Sequence, residues 1–269
     1  MDSGSTLLIN CIRHVGLDAA GPGRVAYVSM KRPDQNASRN EDSLCIISVN
    51  DSCVVLGLSD GFGGCRGGDQ ASKIAVETLS TVVDGIVDSE NGLRGEILNS
   101  FEEANRKILE LGIGAATTFI AAEVTQNMLR VYHVGDSAGL LVTQRGTVKF
   151  QTTSHSPVGY AVESGVLDER EAMYHEQRHI VSNMLGSEDM HIEVGPRIEL
   201  SKKDTFLIAS DGLFDNLHLN EITNIIRSGP LEEAANELLE KTEQRMLNPS
   251  DGDPSKPDDL TFALFRLGR

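Results

Sequence analysis

The chain has 269 residues, 40 of them acidic against 24 basic, for a formal net charge of −16. That balance argues against nucleic acid or an anionic membrane as the main partner, because phosphate backbones need a basic surface, and it suits a protein that gathers carboxylates around cations. With 39% apolar residues the chain can bury a core, while no run nears the 18 apolar residues that would span a membrane.

The start, MDSGSTLLINCIRHVG, lacks the basic head and long apolar run of a signal peptide. Cys11, Cys45, Cys53 and Cys65 form no C-x-x-C pair and no zinc spacing. A reduced compartment, the cytoplasm, is the expected location.

Residues 1–43 read as mixed, with a loop-like KRPDQNASRNEDS. Short β-branched runs at 44–49 and 53–59 predict a strand pair joined by Asn50-Asp51-Ser52. Small or apolar positions at 71, 74, 75, 78, 79, 82, 83 and 86 predict a helix with one wet face. A second helix is predicted over 93–111. Strands at 115–124, 128–134, 138–143 and 146–150 then follow with gaps too short for anything but hairpins. Residues 151–195 are polar and less regular, with a short helix near 168–176. A strand at 204–210, a helix from about Asn220, another after Pro230 and a last strand at 260–266 complete the chain. Hairpin-linked strands cannot be parallel, so the expected class is α+β, with antiparallel sheets covered by helices. No linker divides the chain, and a single domain over 1–269 is expected.

Several of these runs end on an acid. VVLGLSDGFGG closes on Asp60-Gly61, HVGDS on Asp136 and IASDGLFD on Asp211 and Asp215, while NED (40–42) and PDDLT (257–261) abut further strands. A strand held by its ladder aims a terminal Asp with little freedom, and the following Gly lets backbone approach a ligand. One Asp-Gly is ordinary turn chemistry; five acidic elements at strand ends are not. Carboxylates without His or Cys among them suit hard cations such as Mg²⁺ and Mn²⁺. Crowding such acids without cations would be strongly unfavourable.

The stretches RNEDS (39–43), SDGFGG (59–64), GAATTFIAAEV (114–124), HVGDSAGLLV (133–142), the run 154–186, IASDGLFDNL (208–217) and DDLTFALFRL (258–267) resemble, in order and spacing, the metal-dependent Ser/Thr protein phosphatases of the PPM or PP2C type, bacterial branch. The resemblance implies a four-layer αββα sandwich, two antiparallel sheets between helix pairs, with a two-metal site at one end. By position it implies Mn²⁺ or Mg²⁺, two ions and a possible third. Asp60 would bridge both ions, the Gly61 carbonyl and Glu41 would serve one, Asp211 and Asp258 the other. Asp42 would bind directly or hold a metal water. Asp136 and Asp215 match the acids of a third, weaker ion, and residues 151–190 would form a flap over the site. The implied reaction is hydrolysis of phosphoserine or phosphothreonine in a protein by hydroxide held between two cations, with no covalent intermediate. Asp60, Asp211 and Asp258 are thus the expected catalytic acids, and the expected partners are a phosphoprotein and an opposing Ser/Thr kinase; oligomeric state is not legible.

Two positions depart from the pattern. Ala37 stands where the family carries a phosphate-gripping Arg, and Arg39 or Arg32 is the expected substitute, since a phosphate wants a fork of donors. Phe62 stands where eukaryotic members have a His. Two rival readings are carried forward. HEQRH (175–179) matches the H-E-x-x-H zinc-peptidase helix, with His175 and His179 as ligands, Glu176 as base and Glu199 as a third ligand. A non-catalytic, phosphatase-like docking module is the other, though Glu41, Asp42, Asp60, Asp211 and Asp258 are all present. His133, His155 and His14 are expected to be structural or surface residues, Thr117 and Thr118 to brace the sheet, and Asp251 and Asp253 to be solvated loop acids.

Overall fold

The structure is a computed structural model and describes residues 5–33, 39–63, 66–85, 92–250 and 252–268. Five strands come first: β1 (Ser5–Ile9), β2 (Arg13–Ala20), β3 (Gly23–Met30), β4 (Asp42–Asn50) and β5 (Cys53–Asp60). Helices α1 (Gly68–Asp84) and α2 (Gly92–Glu110) follow, then β6 (Phe119–Thr125), β7 (Met128–Val134), β8 (Ala138–Val142) and β9 (Val148–Gln151). Short helices α3 (Pro157–Glu163) and α4 (Glu169–Met173) precede two brief strands, β10 (Glu193–Val194) and β11 (Ile198–Glu199). The chain ends with β12 (Thr205–Ala209), α5 (Asp211–Phe214), α6 (Leu219–Ile226), α7 (Leu231–Leu247) and β13 (Leu260–Leu267).

The strands form two antiparallel sheets. One runs β1-β4-β5-β6-β7-β10, with β11 also on β7, and the other β2-β3-β13-β12-β8-β9. Leu44, Leu56, Leu58, Ile120, Phe206 and Phe265 belong to the apolar layer between the sheets. Helices α1 and α2 cover the first sheet through Ala75, Leu79, Ile97 and Phe101 packed on Val55 and Phe119. Helices α6 and α7 cover the second through Ile222, Leu238 and Leu239 on Leu207 and Phe262. Three apolar layers between four layers of structure give the expected αββα sandwich. With no Trp and few aromatics in the chain, aliphatic side chains fill most of this interior.

The hairpin of β4 and β5 forms as the sequence predicts, as do α1, α2, β7, β8 and β13 to within a few residues. Position 86, the last of the predicted α1 stripe, lies outside the described residues. Three strands, β1 to β3, were hidden in the stretch read as mixed. Most of β2 is exposed or half-buried at the sheet edge, so it shows no clean alternation. The predicted strand at 115–124 joins the ladder only at Phe119: Thr117 instead makes single bridges to Gly61 and Leu185. Helix α3 was missed, although Ser156 caps it by accepting from the Gly159 N–H and Pro157 opens it.

In antiparallel ladders the ends of some strands lie beside the starts of their neighbours. One edge of the first sheet therefore carries the end of β5 beside the start of β4, Asp60 directly across from Asp42. The matching edge of the second sheet sets the end of β12 beside the starts of β8 and β13. The acidic segments of the sequence all emerge at this one end of the sandwich.

Candidate metal centre

Asp60 is the last residue of β5 and Asp42 the first of β4, held opposite one another by the register. The backbone around Asp60 is tied down on all sides. Its N–H donates to Thr118 Oγ1 (3.1 Å), and its carbonyl accepts from the Thr118 N–H (2.9 Å) and Thr117 Oγ1 (2.7 Å). Thr117 and Thr118 thus brace the sheet end, as expected. The next peptide is fixed by the Gly61 N–H donating to the Glu41 carbonyl (3.1 Å). A Cβ at Gly61 would lie 2.4 Å from the Gly68 carbonyl oxygen and 2.8 Å from that of Glu41, so only glycine fits here.

From the second sheet, Ser210 donates its hydroxyl to Asp42 Oδ2 (2.9 Å), linking the two sheets at their acidic end. The other oxygen of Asp42, Oδ1, is buried and has no hydrogen-bond partner among the described residues. A buried acceptor without a partner is costly. Asp211 opens α5 directly after Ser210, and Asp215 closes it, its N–H donating to the Asp211 carbonyl (2.8 Å).

The electrostatics show that these acids meet. Burial first, then Asp42, Asp211, Asp258 and Asp136, push the Asp60 carboxyl well above the usual range. Burial and then Asp259 do the same to Asp42. Asp136 is pushed up to about 7 by burial, Asp211 and Asp215, and Asp258 to about 6 by burial and Asp211. Glu41 is raised by burial, Asp259 and Asp69, and Asp215 by burial and Asp211. Every shift marks negative charge crowded in low dielectric. The structure therefore brings together Glu41, Asp42, Asp60, Asp136, Asp211, Asp215 and Asp258.

Two residues of this end escaped the sequence reading. Asp259, buried, accepts from the backbone N–H groups of Arg32 and Glu41 (both 2.7 Å), clamping the start of the acidic loop to β13. Its signal was the doubled acid in PDDLT. Lys256 sets its ammonium among Asp211, Asp215 (2.9 Å) and Asp258 (3.1 Å). Burial opposes its charge, and the three acids outweigh burial, so its pKa is raised. A cation standing among three carboxylates, an all-oxygen donor set and an unpartnered buried oxygen together fit hard divalent ions.

Arg39 pairs with Asp69 at 2.5 Å on α1, while Ala37 lies outside the described residues, as do Cys65 and Asp251. Phe62 donates its N–H to the Ala116 carbonyl (3.0 Å). Asp253, expected to be solvated, lies 3.4 Å from Arg245. Beside the acids opens a cavity of about 700 Å³ between α3–α4 and α5–α6, with Asp136, Asp211 and Asp215 at one side and Val158, Met173 and Arg178 among its other walls.

The zinc-peptidase reading fails on geometry. Helix α4 ends at Met173, and residues 174–179 are not helical. His175 and His179 therefore share no helix face, and His175 Nδ1 accepts from the Gln177 N–H (3.1 Å). A different trio, His133, His155 and Glu193, brings one ligand atom each within 4.8 Å, closer than any three acids among the described residues. Its hydrogen bonds are made within the protein. The Gly135 N–H donates to His155 Nδ1 (3.1 Å), which places the ring proton on Nε2, facing Glu193 (3.1 Å). His133 Nε2 bonds the Thr153 carbonyl (2.9 Å). These histidines pin residues 153–155 and 183–193 to the end of β7, the structural role expected of them. His14, also expected to be structural or at the surface, stacks on Tyr27 (5.8 Å between ring centroids).

Comparison with known proteins places this geometry. The profile of the family described as protein phosphatase 2C matches residues 33–250. Protein phosphatase PhpP of Streptococcus pneumoniae is 33% identical over 244 residues, 87% of this chain and 94% of its own length. Serine/threonine phosphatase stp of Listeria welshimeri is 32% identical over 202 residues, 70% and 78% of the two chains. The solved serine/threonine phosphatase of S. agalactiae superposes with a TM-score of 0.76 at 27% identity, over 91% of this chain and 99% of its own.

Proposed function

The chain belongs to the protein phosphatase 2C family, and on that premise we propose how its acidic end works. The enzyme is a metal-dependent protein phosphatase that hydrolyses phosphoserine or phosphothreonine in proteins, with Mn²⁺ or Mg²⁺ as cofactor. The observation that carries this reading is the Asp42–Asp60 pair, set across two strands, with Asp42 Oδ1 buried and unsatisfied where five acidic segments converge.

In this reading Asp60 would serve both of two cations. Glu41, Asp42 and the Gly61 carbonyl would hold one, Asp211 and Asp258 the other, and Asp136 and Asp215 would flank a third position. When bound, the ions supply a water acidic enough to attack phosphorus and charge to offset the phosphoryl oxygens. The protein holds its own groups still for that task. Thr117, Thr118 and the Glu41 carbonyl lock the Asp60–Gly61 peptide, Ser210 orients Asp42, and Asp259 fixes the backbone beside Glu41. Such rigidity lets charge develop on the substrate without reorganisation. Arg39, which spends one nitrogen on Asp69, and Arg32 are the donors offered to the phosphate in place of the arginine missing at Ala37. The chain is read as one domain, residues 151–190 as a flap beside the cavity. Its partner is a phosphoprotein, and its opponent a Ser/Thr kinase, in the cytoplasm.

Phosphate release from a phosphoserine or phosphothreonine protein, stimulated by Mn²⁺ and abolished by chelation, tests the proposal. Binding of the phosphoprotein without turnover in saturating Mn²⁺ would instead favour the docking-module reading.

A further inference from the structure

The side chain of Lys256 is held where an ion belongs. Its ammonium lies 2.9 Å from Asp215 Oδ2 and 3.1 Å from Asp258 Oδ2, and it also donates to Asp211 Oδ2. Its backbone is gripped on both sides by one buried residue. Asn216 Oδ1 accepts from the Lys256 N–H (2.8 Å), and Asn216 Nδ2 donates to the Lys256 carbonyl (2.8 Å) and to the Gly212 carbonyl (2.9 Å). Pro257 follows directly, which keeps Lys256 out of helical backbone. Ser255, just before it, donates to the Arg245 carbonyl (2.9 Å). The root of the side chain is therefore fixed by the fold, and its flexible stem has a short, set distance to cover.

The ammonium uses only the Oδ2 oxygens of Asp211 and Asp258. Asp258 Oδ1 accepts from the Asp259 N–H (3.0 Å), and since an ionised carboxylate offers about four lone-pair sites, Asp211 and Asp258 keep capacity for a divalent ion beside the ammonium. A divalent ion between Asp60 and Asp211 and the lysine ammonium are compatible in this arrangement. An ion between Asp211 and Asp215 is not, because the ammonium already stands there.

We propose that Lys256 is the chain's own third cation, a tethered ammonium that fills the position between Asp211 and Asp215 and limits the centre to two divalent ions. This rests on reading the acidic end as a two-cation centre. The ammonium carries half the charge of the ion it replaces and cannot activate a water, so its part is to neutralise the outer acids and to orient Asp211 and Asp258.

The test counts Mn²⁺ per chain, by calorimetric titration and by metal analysis after desalting, in the unaltered enzyme, in Lys256→Gln and in Lys256→Arg. The expected result is two ions for the unaltered enzyme and for Lys256→Arg, and a third, weaker ion in Lys256→Gln. Metal-free Lys256→Gln should also melt several degrees below the unaltered enzyme, and saturating Mn²⁺ should restore most of that loss. Lys256→Met repeats the count if Lys256→Gln does not stay folded without metal. Three ions in the unaltered enzyme, or only two in both charge-removing variants, would overturn the proposal while leaving the two-cation centre standing. No Mn²⁺ bound by the unaltered enzyme would remove the centre itself, and the proposal with it.

Discussion

Two polar clusters lie within this fold, one at each side of the loop after β7, and they are built in opposite ways. The histidine cluster is the tighter of the two, with one ligand atom from each of His133, His155 and Glu193 within 4.8 Å. Yet three of its ring nitrogens are engaged by protein: the Gly135 N–H and Asn183 meet His155 Nδ1, Glu193 meets His155 Nε2 and Thr153 meets His133 Nε2. The acidic cluster is looser, but its groups repel one another and one buried oxygen has no hydrogen-bond partner among the described residues. Proximity of donor atoms is thus a poor guide to a metal site. Unspent bonding capacity is the better one, because an ion binds where the protein alone cannot satisfy its own polar groups.

Exchanging one residue in each cluster tests this contrast. Asp60→Asn removes a ligand shared by both proposed cations and should lower kcat on a phosphopeptide by about 10³-fold, the scale on which a lost electrostatic anchor at a reacting phosphate acts. The metal-free protein should melt no lower, since the exchange relieves repulsion. Retained turnover would show that the acidic end is not the reacting one. His155→Ala has the reverse profile. It strands the Gly135 N–H and should cost about 1–3 kcal/mol of stability, the penalty for an unsatisfied buried donor, while two Mn²⁺ ions still bind. Zn²⁺ retained by the parent through dialysis and lost by His155→Ala would mean that the histidine cluster is a metal site after all.

The sequence reading found the acidic strand ends and most of the later elements but not β1 to β3 or Lys256, and the reason is physical. Asp60, Asp136 and Asp211 each sit at or just beyond the end of a buried strand, so an apolar run and its terminal acid are both visible in the letters. Antiparallel pairing then decides that such ends gather, which is how residues as far apart as Asp42 and Asp258 could be assigned to one place. Strand β2 gave no such signal because it is a wet edge strand, and the buried run of β3 ends on no acid. Lys256 was illegible for another reason: a basic residue in a Pro- and acid-rich loop looks solvated, and only Asn216, 40 positions away, reveals that it is held. The H-E-x-x-H match misled in the same way, since its spacing means something only on a helix and α4 stops two residues short of it.

The smallest effect expected is also the one that separates the clusters most cleanly, because they respond to pH with opposite sign. Asp136 and Asp258 have folded pKa values of about 7 and about 6, against roughly 4 in an unfolded chain. Folded, metal-free protein therefore holds more protons than unfolded protein between those limits. Its stability from this cluster is full in acid and is lost as pH rises through 6 to 7. His133 and His155 are lowered by burial first, with His191 also disfavouring charge and Glu193 partly opposing both. Their contribution is full above roughly 6.5, the unfolded value, and is lost as pH falls through the depressed folded value. Melting temperatures of the metal-free protein across this range should show both slopes, with Asp136→Asn flattening the decline near neutrality and His155→Phe flattening the loss in acid. Added Mn²⁺ should invert the acidic cluster alone, since its ligands bind only when deprotonated, so that stabilisation by Mn²⁺ grows from pH 6 to 8. A metal-free melting temperature that climbs steadily over that interval would mean the carboxylates are already neutralised by protein, and the contrast between the two clusters would be gone.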